Sequence, residues 1–107
     1  MCKFESLFFS EDSYVIRCTT CGHYQLAFLS TLLTLDAHEF DTLCKVAQFK
    51  CLEDHSSFSE HSKCVIISTP FYGQCMLLTK AEAHNLNNML QEADNEAKAQ
   101  SLLQLFY

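Results

Sequence analysis

Cys18-Thr19-Thr20-Cys21-Gly22 sets two thiols two residues apart and follows the second with glycine. Thiolates are soft metal ligands, and one half of a metal-binding knuckle is written this way. Structural zinc takes four such ligands in a tetrahedron, and the matching second half of the motif is missing. Three readings of the pair stay open: a metal site completed from elsewhere, a redox dithiol, and a coincidence in a chain of seven cysteines. Redox dithiols of the thioredoxin type lie at a helix N-terminus, which lowers the pKa of the first thiol. Here glycine and then a β-rich run, His23-Tyr24-Gln25-Leu26-Ala27-Phe28, follow instead.

The remaining cysteines are 2, 44, 51, 64 and 75. An odd number of thiols and no secretory signal point to an intracellular, cytoplasmic protein, where thiols stay reduced and clusters serve metals or chemistry rather than disulfides. Met1-Cys2-Lys3-Phe4-Glu5 meets charge before any long apolar run can form. No stretch approaches the roughly 18 apolar residues of a membrane span. The net charge is -6, and the seven Lys and Arg residues are scattered. A counterion-releasing basic stripe is absent, so nucleic acid is a poor partner. No nucleophile elbow is present, and with only Gly22 and Gly73 there is no glycine-rich phosphate loop. Nothing in the chain assembles a catalytic set.

The elements that must position the thiols follow from hydrophobic period and turn residues. Residues 4–9, 14–18, 23–28 and 31–35 read as strands, with Ser10-Glu11-Asp12-Ser13 as the first turn. Asp36 caps a helix, with Glu39 three residues on, and Phe40, Leu43, Cys44, Ala47 and Cys51 mark its apolar face. A polar loop over 54–63 leads to a strand at 64–69, a turn at Pro70-Phe71-Tyr72-Gly73 and a return strand at 74–78. Thr79, with Glu82, caps a second helix. Its stripe runs through Leu86, Leu90, Ala93 and Ala97, then shifts to Ala99, Leu102, Leu103 and Phe106, as one helix with a change of face or two with a break. Shifting the chain by 43 residues lays Asp36 on Thr79, Glu39 on Glu82 and Leu43 on Leu86. The expected architecture is a single α+β domain over 1–107: an antiparallel sheet with two helices on one face, two β-β-α units and an extra N-terminal hairpin. Cys44, Cys51 and Cys75 read as core residues, Tyr24 as core, and His38 and His84 as solvated.

The first hairpin brings a third thiol into play. Pairing across the turn at 10–13 makes partner numbers sum to 21–23, which sets Cys2 opposite residues 19–21. The expected metal ligands are therefore Cys2, Cys18 and Cys21. The fourth is Cys64, the repeat equivalent of Cys21, with His61, then His55 or His23, or a water, as alternatives. Zinc in this set would be structural and would supply folding energy that a small core lacks. A C-terminal Leu-Leu-Gln-Leu-Phe-Tyr would be a sticky patch in water, so that helix is expected to dock on its own sheet, on a second copy or on a protein partner.

Residues 14–35, from Tyr14-Val15-Ile16-Arg17-Cys18 through Tyr24-Gln25-Leu26-Ala27-Phe28 to Leu33-Thr34-Leu35, resemble a family of small bacterial proteins of unknown function with a Cys-x-x-Cys-x-x-Tyr-Gln-Leu-x-Phe signature. The resemblance implies a domain without assigned activity and supports Cys2, Cys18 and Cys21 as a set. Such relatives tend to carry glycine after the phenylalanine, where this chain has Leu29. The functional expectation is a zinc-stabilised protein-interaction module, with a thiol redox sensor or oxidoreductase using Cys18 and Cys21 as the alternative.

Overall fold

The computed structural model describes residues 3–106. Alternating apolar residues build β1 (Phe4–Phe9), β2 (Ser13–Cys18), β3 (Tyr24–Phe28) and β4 (Thr31–Leu35), which form an antiparallel sheet in sequence order. Helix α1 (Ala37–Cys51) follows, then β5 (Val65–Ser68), β6 (Cys75–Leu78) and α2 (Lys80–Gln104). The fold is α+β, with a hairpin-rich N-terminal half. The six strands do not merge into one sheet. β5 and β6 pair only with each other and make a two-stranded sheet of their own.

Both helices begin with a complete capping box. The side chains of Asp36 and Thr79 accept from the backbone N–H of Glu39 and Glu82, and each glutamate accepts the cap residue's N–H in return. Each box satisfies two of the donors that a helix start leaves open. The 43-residue repeat extends into the core: Leu33 and Met76, Leu35 and Leu78, Leu43 and Leu86, and Ala47 and Leu90 are all buried. The helices exchange sheets, however. α1 lies chiefly against β5, and α2 chiefly over β1. They run antiparallel, because the start of α1 (Ala37, Phe40, Asp41) lines a groove with the last third of α2 (Ala97, Lys98, Ser101), while Lys50 and Cys51 at its end meet Lys80 and Ala83.

The first hairpin keeps the expected register. Phe4, Glu5 and Ser6 face Cys18, Arg17 and Ile16, summing to 22, and Phe8 and Phe9 face Val15 and Tyr14, summing to 23. The step is a β-bulge at Leu7, which turns that extra residue into the core, where it is 6% exposed. α2 is one unbroken helix. Its buried face ends at Ala97, and the second stripe lies in solvent rather than on the sheet. Cys44 is buried, its thiol pushed up to about 12 mainly by desolvation. Cys51 packs on the core edge. Cys75 departs from its core assignment and is exposed: β6 shows only one face to the helices, and Met76 and Leu78 take it.

Leu29 stands in the turn between β3 and β4. It takes φ +54° in the two-residue loop between Phe28 and Thr31. A leucine thus occupies a left-handed turn position. A non-glycine residue there costs about 1–2 kcal/mol, and the first position of such tight loops favours glycine. Leu29→Gly is expected to raise stability by about 0.5–1 kcal/mol after glycine's own entropy cost, read as a higher urea midpoint with unchanged m-value.

The second capping box also carries a pH dependence. Lys63 and the Thr79 cap hold the Glu82 carboxyl below its ordinary pKa. A depressed folded-state pKa adds stability above the unfolded value and loses it as pH falls through the folded one. The stability gap between the natural chain and Glu82→Gln should therefore be widest near neutral pH and shrink below about pH 4, where ordinary carboxylates protonate.

Candidate functional site

The chemistry-bearing end of the molecule is the turn between β2 and β3. Register Arg17↔Tyr24 closes a four-residue loop over 19–22, with Cys18 and His23 at its base. The Cys18 N–H donates to the His23 carbonyl at 2.8 Å, and the Gly22 N–H to the Cys18 carbonyl at 2.9 Å. The Cys21 N–H donates to Cys18 Sγ at 3.4 Å. Gly22 holds φ +79°, a left-handed value that glycine adopts without penalty. A backbone N–H is thus aimed at the first sulfur. Cys18 is 1% exposed and Cys21 lies at the surface.

The N-terminal strand reaches this turn, since the Thr19 N–H and hydroxyl both donate to the Lys3 carbonyl, at 2.7 and 3.1 Å. Cys2 lies outside the described residues. His23 is exposed beside the knuckle. Cys64 is not brought here. Its neighbour Lys63 pairs with Glu82 in the first turn of α2, whereas Cys18 and Gly22 share a cleft with Ser101 and Gln104 near the helix's end. From Glu82 to Ser101 is about 28 Å at 1.5 Å per residue. The physical reason is the antiparallel helix pair: each cysteine sits beside the start of its own helix, so repeat-equivalent positions lie at opposite ends. His61, two residues before Lys63, and His55, which lines a cavity with Lys80 and His84, stand at that far end too. Among the described residues, no three His, Cys, Asp or Glu side chains converge as a metal site.

A cluster that sequence reading missed supports the knuckle from the core side. Glu5, Arg17, Tyr24 and Leu35 form one cross-strand row on the helix-facing side of the sheet. Arg17 Nε donates to Glu5 Oε1 at 2.6 Å, and its terminal nitrogen also reaches Gln100 Oε1 of α2 at 3.5 Å. The guanidinium carbon lies 5.9 Å from the centre of the Tyr24 ring, which stacks on Phe40 of α1 at 4.2 Å. Burial alone would lower the Arg17 pKa, but Tyr24 and Glu5 together outweigh it and the net direction is upward. This row explains the change of stripe on α2. Past Ala97 the sheet below is charged, so the facing residue becomes Gln100. The signal was present in the sequence: Glu5 and Arg17 are opposite charges whose numbers sum to 22.

No family model matches the chain, and no curated protein or solved structure matches it. The likeness of residues 14–35 to the Cys-x-x-Cys-x-x-Tyr-Gln-Leu-x-Phe signature rests on those residues alone. No helix among the described residues is long and apolar enough to cross a membrane.

Glu5→Gln removes the carboxylate from a guanidinium whose side chain is only 14% exposed. Charged hydrogen bonds of this kind are worth about 1.5–3 kcal/mol, so urea unfolding should register a loss in that range. Glu53→Gln, whose carboxylate pairs with Lys50 nearer the surface, should lose less than about 1 kcal/mol.

Proposed function

We propose that this chain is a small protein-interaction module that pairs with a second copy of itself through the end of α2. The supporting observation is that Leu102, Leu103, Leu105 and Phe106 are all more than half exposed, and that Leu102 and Leu105 line an open groove of about 570 Å³. The groove is walled by Ala37, Phe40, Tyr24 and Ala97, with Arg17, Lys98, Asp41 and Asp94 at its margin. Apolar knobs, an apolar hole and charges of both signs on one surface are what a two-fold, self-complementary contact requires. The body measures 51 × 26 × 26 Å, so two copies joined end to end would bury the exposed stripe without covering the sheets.

Zinc is the second part of the proposal. Cys18 and Cys21 would be two legs of the site, and Cys2, outside the described residues, would be the third. With Cys64, His61 and His55 at the far end, the fourth position falls to His23 or to water. The ion would be structural, fastening the first strand to the knuckle at the end of the molecule where the copies meet. The thiol-redox reading uses the same Cys18 and Cys21. It is favoured by the N–H donated to Cys18 Sγ and opposed by the burial of that sulfur.

Light scattering should give twice the chain mass at tens of micromolar, and Leu102→Glu with Phe106→Glu should return it to one. A natural chain that stays monomeric at millimolar concentration would sink the pairing. Elemental analysis should find one zinc per chain, with chelation lowering the melting temperature and exposing thiols to alkylation. Metal-free protein whose melting ignores chelator, with one rapidly alkylated thiol, would replace zinc by thiol chemistry.

A further inference from the structure

β4 and β6 are both edge strands, and their first residues face each other across an open groove of about 450 Å³. Residues 30–33 wall one side and residues 73–76 the other, so the 43-residue shift lays one wall on the other position by position. Among the described residues no ladder joins the two strands. They stand farther apart than the roughly 4.8 Å of paired strands.

The register says what the walls present. Phe28 faces Thr31 across the two-residue turn, the pair that such a turn hydrogen-bonds. Alternation then turns the N–H and C=O of Leu32 away from β3, toward the gap. In the second hairpin the Thr69 N–H donates to the Gln74 carbonyl at 3.3 Å. The next residue, Cys75, therefore turns its N–H and C=O away from β5. Leu32 and Cys75 are equivalent under the shift, and both are exposed.

Sheet edges are normally blunted by charge, proline, a bulge or a covering element. β1, the opposite edge of the larger sheet, has Glu5, the bulge at Leu7 and the packing of α2. Thr31-Leu32-Leu33-Thr34-Leu35 and Cys75-Met76-Leu77-Leu78 hold neither charge nor proline. No charged side chain among the described residues lines the groove. Open backbone on two facing sides dictates the guest: an extended peptide, whose donors and acceptors alternate to left and right. A folded second copy cannot supply it. Each of the six strands already has a neighbour, and a strand in this gap needs both edges free.

We propose that the groove between β4 and β6 takes an extended, uncharged segment of a partner protein. The segment pairs with Leu32 on one side and Cys75 on the other and joins the two sheets into one. Walls over 30–33 and 73–76 match a stretch of about four residues, at about 3.4 Å each. Its alternate side chains fall in line with buried Leu33 and Met76, so those positions are apolar. The site is independent of the pairing surface at the end of α2 and of the cysteine knuckle.

Amide hydrogen exchange of the full chain, read by NMR, tests it with the synthetic peptide acetyl-Lys-Gly-Thr-Val-Thr-Val-Gly-Lys-amide, whose lysines keep it soluble. Binding is expected to saturate below millimolar peptide, with the Leu32 and Cys75 amides exchanging at least tenfold more slowly. Neighbouring residues of a strand donate to opposite sides. Two peptides, each N-methylated at one of the two central residues, should therefore both bind at least fivefold more weakly. They keep the same lysines, which separates backbone pairing from attraction to an acidic chain. Leu32→Pro, which an edge strand tolerates, should weaken binding to the same degree; the methylated peptides read the same bonds on the natural chain if that variant folds poorly. Failure to saturate, equal binding of the methylated peptides, loss with only one of them, or unchanged affinity in a folded Leu32→Pro would overturn the proposal. So would Leu32 and Cys75 amides already protected in the concentrated chain without peptide, which would put a second copy in the groove.

Discussion

The packing of α2 across the first hairpin is the constraint on which the rest of this structure depends. One helical face, Leu86 to Ala97, is buried, chiefly over β1. That burial holds an edge strand in a sheet it could otherwise leave. It fixes the hairpin register, because a one-residue slip would turn Leu7, Phe8 and Val15 away from the helix. The bulge at Leu7 satisfies both demands: it adds an apolar side chain to the core and lets the strand continue in register toward the knuckle. Disturbing α2 would therefore be felt at Cys18 and Cys21 through the sheet.

The end of that contact is as informative as its middle. Where the apolar face stops, Arg17 is held by Glu5, Gln100 and the stacked Tyr24–Phe40 pair. A largely buried guanidinium with a carboxylate partner resists sliding, because either charge left alone pays its desolvation. The row thus sets the register of α2 on the sheet and marks the point beyond which the helix has nothing of its own to cover. The exposed leucines and Phe106 follow from this: they continue a helix that its own sheet no longer needs.

Much of the fold was legible because it is set locally. Alternation placed the strands, two capping boxes placed the helix starts, and the Ser10–Ser13 turn set the register that put Lys3 beside Thr19. The errors came from long-range packing. The 43-residue shift makes Cys64 equivalent to Cys21, and burial matches across that shift at Leu33 and Met76 and at Leu43 and Leu86. What sequence could not convey is that the two units meet with their helices antiparallel, which sends equivalent positions to opposite ends. The second hairpin forms its own sheet, and alternation along β6 leaves Cys75 facing solvent while Met76 and Leu78 face the core.

Antiparallel packing also divides the chemistry of the molecule. Each end joins the start of one helix to the finish of the other, yet the two ends carry different residues. At one, Arg17 is neutralised by Glu5, two thiols are turned into a tight loop and an apolar helix end projects. At the other, Lys50, Glu53, His55, Lys80 and His84 gather round a small space beside a capped helix start. A positive helix terminus favours an anionic partner, and here Glu82 already fills that role at the cap. Duplicated β-β-α units would give two similar ends. The side chains at positions that the shared pattern leaves unconstrained have made one end apolar and thiol-bearing and the other polar, with charges of both signs.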